Sequence, residues 1–428
     1  MPSAPTVAAE VPFAERVHEE AAGPARALFL PTPAERIVSF AGSFVTRPDF
    51  GAGEEVVQKL TVLLLDKGTR QRDRFALAEE LERRGAELSF SADGLRCGFS
   101  GRCLRDDLAD VLALAAEQLR EPAFSAEEFE KAQAQHAAAL RRSMEATGPL
   151  AAGALNRRLY PASHPNYRSE PEADLARLDA LTVEDVRAYH AAHFGGRDFL
   201  VVAAGDLDPA ASAAALRSSF EGWSEPSGGA AFATAADPTE PGRVDVDVPG
   251  KQNLDVRMGH PVDLRRDSDD FLPLFAGDYA FGGNFSARLM ATVRDEQGLT
   301  YGIGSTLAGV TVEHDGHWKI AVTLSPENLE RGIEATLEQA RRFVEEGIRA
   351  DELHEKQTTL AGSFKVGLAT TNGLATALLA NAERGFDVGY LDRFPRLIEA
   401  LTPEGVNAAV RRYLDPGALH VAVAGTHA

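Results

Sequence analysis

Apolar residues recur along this chain with two periods, and their alternation lays out the elements. Val56, Val57, Leu60, Leu63 and Leu64 follow a helical period and predict a helix from about Glu54 to Asp66. Lys67-Gly68 closes it, a cation followed by a glycine suited to a helix end. A second helix is predicted over Asp73–Arg84, stopping at Gly85, and others over Arg105–Leu119, Leu150–Arg158 and Pro209–Phe220. Ser125 with Glu128 has capping-box spacing and opens a long helix to about Glu145; Thr182 with Asp185 opens one to about His193. β-type runs at Ala25–Pro31 and Ile37–Val45 predict a hairpin turning at Pro31–Glu35, and Ala86–Phe90 with Leu95–Ser100 predict another around Ala92-Asp93-Gly94. Phe199–Ala204 has the continuous apolar character of a buried strand.

Ser224–Asp237 (SEPSGGAAFATAAD) is a Gly-, Ser-, Ala- and Pro-rich break, after which the pattern starts again. Strands are predicted at Val244–Val248 and Leu254–Gly259, then a helix from about Asp269 to Tyr279. LTVEDVRAYHAAHFGGRDFLVVAAG from Leu181 and LTPEGVNAAVRRYLDPGALHVAVAG from Leu401 align at an offset of 220. Ala126, Glu128 and Phe129 meet Ala350, Glu352 and Leu353 at an offset of 224. The chain therefore reads as a duplicated domain, 1–223 and 242–428, joined by a linker at 224–241. Hairpins mixed with helix blocks in each half point to α+β, a mostly antiparallel sheet packed with helices, rather than a doubly wound fold.

Composition adds exclusions. A net charge of −20 opposes binding to nucleic acid or to an anionic membrane. No run approaches the roughly 18 apolar residues of a membrane span. The first residues, MPSAPTVAAEVPFAERVHEE, lack a basic start and apolar core, so a cytoplasmic chain is expected, or a periplasmic one if a signal was removed before this numbering. Cys97 and Cys103 are the two cysteines, and two free thiols are expected.

Few stretches carry candidate chemistry. In FGGNFSARLMATVRDEQGLTYGIGS, Phe281–Ser305, a Gly-Gly pair leads into a turn of helix. Arg294 and Tyr301, seven apart across a helix-to-strand corner, can point at one spot. The plainer reading makes Gly298 a helix C-cap with Arg294 in the last turn, where a cation suits the helix dipole. His190-x-x-His193 has no acidic partner of matching spacing and reads as packing. His314-x-x-His317 sits in a hairpin-like VEHDGHW, and ordinary turn chemistry outweighs a metal role. The charged runs Glu327–Arg342 and Glu345–Lys356 read as solvated helix faces.

Landmarks in order along the chain resemble the pitrilysin/insulinase family of metallopeptidases. They are LLLDKGT at Leu63–Thr69, LAEELERRGAELSFSADGL at Leu77–Leu95, FSAEEFEKA at Phe124–Ala132, LYPASHPNY at Leu159–Tyr167, and the Phe285–Ser305 stretch between the two repeated segments. The chain is most similar to the smaller two-domain members, including processing-peptidase subunits and bacterial heterodimeric relatives. The resemblance implies two similar α+β domains and, in active members, His-x-x-Glu-His on the helix before Lys-Gly-Thr. There two histidines and a distal glutamate hold zinc and the other glutamate is the general base.

Counted back from Lys67-Gly68-Thr69, the metal histidines fall on Lys59 and Leu63 and the base on Val62. The distal glutamate falls in Ala137-Ala138-Ala139. None of these can hold zinc or take a proton from water, so no cofactor is expected in this chain. The resemblance also implies that Arg294 and Tyr301, in Arg-x-x-x-Gly-Leu-x-Tyr, contact the substrate backbone and a developing oxyanion. It places Gly282, Gly283 and Phe285 where a glycine-rich substrate loop lies. The resulting expectation is a non-catalytic subunit of a two-chain peptidase. Its partner would be a homologous subunit with His-x-x-Glu-His that carries the zinc, and its ligand a peptide. The alternative is an inactive scaffold or peptide-binding homodimer. A self-sufficient peptidase with a relocated metal is the third reading.

Overall fold

A computed structural model describes residues 11–426, so part of the leader reading falls on residues outside them. Eleven strands among the described residues form two sheets. The first contains β1 (His18–Ala22), β2 (Ala25–Pro31), β3 (Ile37–Val45), β4 (Glu87–Asp93), β5 (Arg96–Leu104) and β6 (Phe199–Gly205), in the order β1-β2-β6-β3-β5-β4. The second contains β7 (Arg243–Asp247), β8 (Leu254–Val262), β9 (Thr300–Ala308), β10 (Gly316–Leu324) and β11 (His420–Gly425), in the order β7-β11-β8-β10-β9. Apart from β1, the two orders are the same. In each sheet the last strand in sequence lies parallel to the first of the shared set and antiparallel to the next. This is the α+β architecture with antiparallel-rich sheets that the sequence predicts.

One pairing departs from expectation. β2 and β3 do not form a hairpin, because β6 lies between them, with Val201 opposite Ala27 on one side and Gly42 on the other. All of β6, FLVVAAG, is buried. Such a strand needs neighbours on both edges and cover on both faces, and the central slot supplies both. Helix Pro171–Ala180, left unassigned by the sequence pattern, is also present. It buries only Leu178, too little for a periodic signal.

Cys97 and Cys103 both lie on β5 and are free and buried. Six residues of strand place their Cα atoms roughly 20 Å apart, about three times the reach of a disulfide. Burial pushes both thiols up to about 12.

The duplication extends to element lengths. Helices Ala126–Ser143 and Ala350–Gly367 both have 18 residues, and Thr147–Leu159 and Thr371–Glu383 both have 13. The last pair changes places between the halves. Helix Thr147–Leu159 covers the second sheet, packing Ala151, Ala154 and Leu155 against Val244, Val248, Ala422 and Ala424. Helix Thr371–Glu383 covers the first sheet, packing Leu374, Ala375 and Leu378 against Leu28, Leu30, Leu200 and Val202. Each exchanged helix is tied down at its first residue. Thr147 Oγ1 donates to Asp255 at 2.6 Å, and the hydroxyls of Thr371 and Ser39 lie 2.8 Å apart.

The stretch 224–241 has no helix or strand, but it is docked. Ala230 N–H bonds to Arg47 and Ala233 N–H to Ser163, both at 3.0 Å, and Thr234 accepts from Asp315 N–H at 3.1 Å.

In the second half, helix Phe271–Gly282 carries Asp278, a buried carboxyl. It accepts from the Ser305 hydroxyl and, at 3.1 Å, from Trp318 Nε1, so it joins the helix to β9 and β10. Burial raises its pKa to about 7, against hydrogen bonds that lower it.

Two outcomes follow from this packing. A fragment ending at residue 223 leaves Leu28, Leu30, Leu200 and Val202 uncovered. It is expected to bind a hydrophobic dye strongly, whereas Leu378→Ala in the full chain costs about 2–5 kcal/mol in a single unfolding transition. A cooperative, dye-free fragment would contradict the exchange. For Asp278, a folded pKa above the unfolded one gives stability that is complete below about pH 4 and lost as pH rises through about 7. Asp278→Asn keeps an acceptor and removes the titration. Its melting temperature relative to wild type is therefore expected to rise between pH 4.5 and 8, and a constant difference would refute the assignment.

Candidate functional site

The helix on which the resemblance places the metal positions is Glu55–Leu63. Lys59 and Leu63, one turn apart, are both exposed on one face, and Leu63 is 45% exposed despite its apolar side chain. Val62 is buried at 7%, and Ala137 on helix Ala126–Ser143 is buried at 4%. Burial raises the pKa of Glu55, one turn before Lys59, and its Oε2 makes no hydrogen bond. His136 is held below the usual imidazole range, first by burial and then by the Lys59 charge. An ammonium, an isobutyl group and a methyl group are not zinc donors, and the ammonium repels a divalent cation. Among the described residues no three His, Cys, Asp or Glu side chains gather as metal ligands. Zinc does not fit this site.

The structure brings together the second-half residues singled out in the sequence. Helix Phe271–Gly282 ends at the glycine pair. Gly282 is buried against β9, where a Cβ would strike the Ser305 backbone and Leu289, so close packing alone requires glycine there. Gly283 is exposed and begins the turn that carries Phe285. Arg294 lies in a π-helix, Met290–Glu296, which closes with Gly298 in the left-handed region at φ +62° and its N–H on Arg294 O at 3.0 Å. The glycine cap expected from the sequence is therefore present. Tyr301 is the second residue of β9, the edge strand. Pairing with β10 jumps from Thr323–Gly302 to Leu324–Thr300, which leaves Tyr301 as the extra residue of a β-bulge. The bulge turns its ring outward.

The Arg294 guanidinium lies 4.8 Å from the centroid of the Phe285 ring and 5.5 Å from that of Tyr301. It is only partly exposed and bonds Asp295 at 2.9 Å. The two rings are open to solvent, Phe285 at 73% and Tyr301 at 89%. A guanidinium close to two exposed rings puts N–H donors, a phenol O–H and apolar faces on one small patch.

Residues the sequence pattern does not flag hold this patch. Lys356, on helix Ala350–Gly367, is 3% exposed and donates to Ser286 O at 3.0 Å and to Ser286 Oγ at 2.9 Å. Arg288 makes a two-pronged pair with Glu352 at 2.8 and 2.5 Å. The run Glu345–Lys356 is therefore not wholly a solvated face, since its last residue turns inward to fix the Phe285 turn. The one signal in the sequence is Lys356's place one turn after Glu352, on the helix's buried stripe.

The histidines resolve as structure. His190 and His193 bond the carbonyls of Leu119 and Thr46. His164 Nε2 meets Asp315 at 3.1 Å, its Nδ1 accepts from Asn166 N–H, and Tyr160 O–H meets His317 Nδ1 at 2.9 Å. Burial drives the His317 pKa down to about 3, so the ring stays neutral. This buried group joins the 160–170 loop of the first half to the β9–β10 hairpin of the second.

A cleft of about 450 Å³ opens beside Lys59, lined by Glu55 and Gln58 on the first half and by Gly309–His314, Arg266 and Arg384 on the second. Neither Arg294 nor Tyr301 lines it. The emptied metal face and the Arg/Tyr patch are thus separate surfaces of one chain.

Comparison with known proteins agrees with this architecture. The family model described as Insulinase (Peptidase family M16) matches residues 60–157, and that described as Peptidase M16 inactive domain matches 180–360. An uncharacterized zinc protease of Streptomyces coelicolor is 23% identical over 82% of this chain and 76% of its own length. The non-peptidase homolog YmxG of Helicobacter pylori is 21% identical over 85% of this chain and 83% of its own. The crystal structure of a peptidase M16 inactive domain from Pseudomonas fluorescens superposes with a TM-score of 0.86 at 24% identity, covering 96% of this chain and 98% of that one. The two family matches, in chain order on a duplicated α+β fold, establish that the chain belongs to the insulinase (M16) peptidase family.

Proposed function

We propose that this chain is a non-catalytic M16 subunit that binds peptide and completes the active site of a zinc-bearing homologous chain. The observation that carries the reading is the split between its two surfaces. Every metal role at Lys59, Val62, Leu63 and Ala137–Ala139 is lost, while Arg294 and Tyr301 sit together, outward-facing and supported from behind. In this reading the partner brings His-x-x-Glu-His, the zinc and the general base. Arg294 and Tyr301 donate to a peptide carbonyl whose oxygen gains charge on attack, and the rings of Phe285 and Tyr301 flank the peptide. The name of the Helicobacter pylori relative, a non-peptidase homolog, supports the inactive half of the proposal. It also keeps the scaffold alternative in play, in which the chain pairs with itself and activates nothing.

Mixing the chain with an M16 homologue that carries His-x-x-Glu-His, and following cleavage of a fluorogenic peptide, tests the reading. Arg294→Ala/Tyr301→Ala is expected to lower kcat per complex by about 10²-fold, the scale of a lost oxyanion donor, with complex formation unchanged on a sizing column. An unchanged rate would remove the proposed role. A stable homodimer that activates no zinc-bearing homologue would favour the scaffold. Lys356→Met keeps the apolar stem and releases the Phe285 turn. It is expected to raise the peptide Kd several-fold in fluorescence anisotropy while leaving the melting curve cooperative, and an unaltered Kd would deny Lys356 a positioning role.

A further inference from the structure

We propose that Arg266 and Arg384 form a subsite for a peptide carboxylate in the cleft between the two halves. The identity of the occupant as a peptide rests on the reading above. The subsite itself rests on the state of these two side chains.

Arg266 lies beyond β8, its backbone N–H held by Thr311 O at 3.0 Å and its guanidinium 4.3 Å from the centroid of the Phe271 ring. Arg384 follows directly on the exchanged helix Thr371–Glu383. Both line the cleft, both are half-buried, and neither side chain has a hydrogen-bond or ion-pair partner among the described residues. The other arginines of the cleft are occupied. Arg96 pairs with Asp198 at 2.6 Å and approaches Glu383 at 3.6 Å, and Arg168 donates to the carbonyls of Pro165 and Tyr167. Glu383, next to Arg384 in sequence, accepts from the Ser43 hydroxyl at 2.6 Å.

Two half-buried guanidiniums outside any ion pair are unfavourable for folding alone; Tyr390 acts favourably on both and Glu383 on Arg384, but Glu383 does so from beyond salt-bridge distance. Burial, then the neighbouring Arg384 charge, pulls the Arg266 pKa down to about 10, and burial lowers Arg384 as well. The chain is not short of carboxylates, with 64 acidic residues against 44 basic ones. A helix C-terminus accounts for a cation at 384 but not for a second one lining the same cleft. The planar forks of two arginines match the two oxygens of a carboxylate. The carboxylate can come from a peptide's C-terminus or from an acidic side chain, and both present the same group to the cleft.

The test uses the full chain and three N-acetylated alanine hexapeptides: a free acid, its C-terminal amide, and the amide with one central glutamate. Isothermal titration is expected to show the free acid, the glutamate peptide or both binding at least about 10-fold tighter than the plain amide, the worth of one charged hydrogen-bonded contact. Which of the two gains identifies the source of the carboxylate. In Arg266→Gln/Arg384→Gln the ratio is expected to fall to about 1. That variant should melt no lower than wild type, because it removes unpaired charge. Equal binding of acid and amide by wild type, or a ratio that survives the double substitution, overturns the subsite and leaves peptide binding standing. If none of the peptides binds, both readings fall.

Discussion

Each sheet of this molecule is covered by a helix from the other half of the sequence, and most of the structure depends on that exchange. A sheet face of Leu28, Leu30, Leu200 and Val202 has to be removed from water, and the residues that cover it lie about 170 positions or more along the chain. The converse holds for Val244, Val248, Ala422 and Ala424. Each half packs a large core of its own on one face of its sheet but leaves the other face to the exchanged helix, and the docked 224–241 stretch and the buried His164–Asp315 contact add further ties between the halves.

That unity places the functional surfaces. With one helix of each half committed to the other, the cleft beside Lys59 has walls from both, and Arg384 reaches it because the exchanged helix ends there. The Arg294 patch is built at the start of edge strand β9, whereas the β9–β10 turn at its other end lines the cleft. Asp278 pins the helix before it to β9 and β10, Gly282 allows close approach, the bulge at Tyr301 turns the ring out, and Lys356 holds the intervening turn from below. The open rings of Phe285 and Tyr301 therefore rest on a closely packed base.

Much of this was legible in the sequence. The repeat gave the duplication, the caps at Ser125, Thr182 and Gly298 gave real helix ends, and Lys67-Gly68-Thr69 fixed the register that reveals the lost metal ligands. What was not legible depended on distance along the chain. β2 and β3 look like a hairpin because a strand records its own burial and not its neighbour, and β6 arrives more than 150 residues later. Lys356 sits in a run of charge that reads as solvated, and only the turn at Ser286 shows why it is inside. The two unpaired arginines are silent in sequence for a related reason, since a missing partner leaves no pattern.

The exchanged helices have the same length, start at the same kind of residue and trade places reciprocally. Such an arrangement is isologous: what one half does to the other is done back to it. Two separate copies of a half-length chain related by a twofold axis would make the same contacts as a swapped dimer, with each copy lending its helix to the other. The 224–241 segment joins what would otherwise be two such chains. The single polypeptide can thus be seen as a tethered dimer, free to let its two copies diverge, so that the Lys59 face of one and the Arg294 patch of the other need have no counterpart across the pseudo-symmetry.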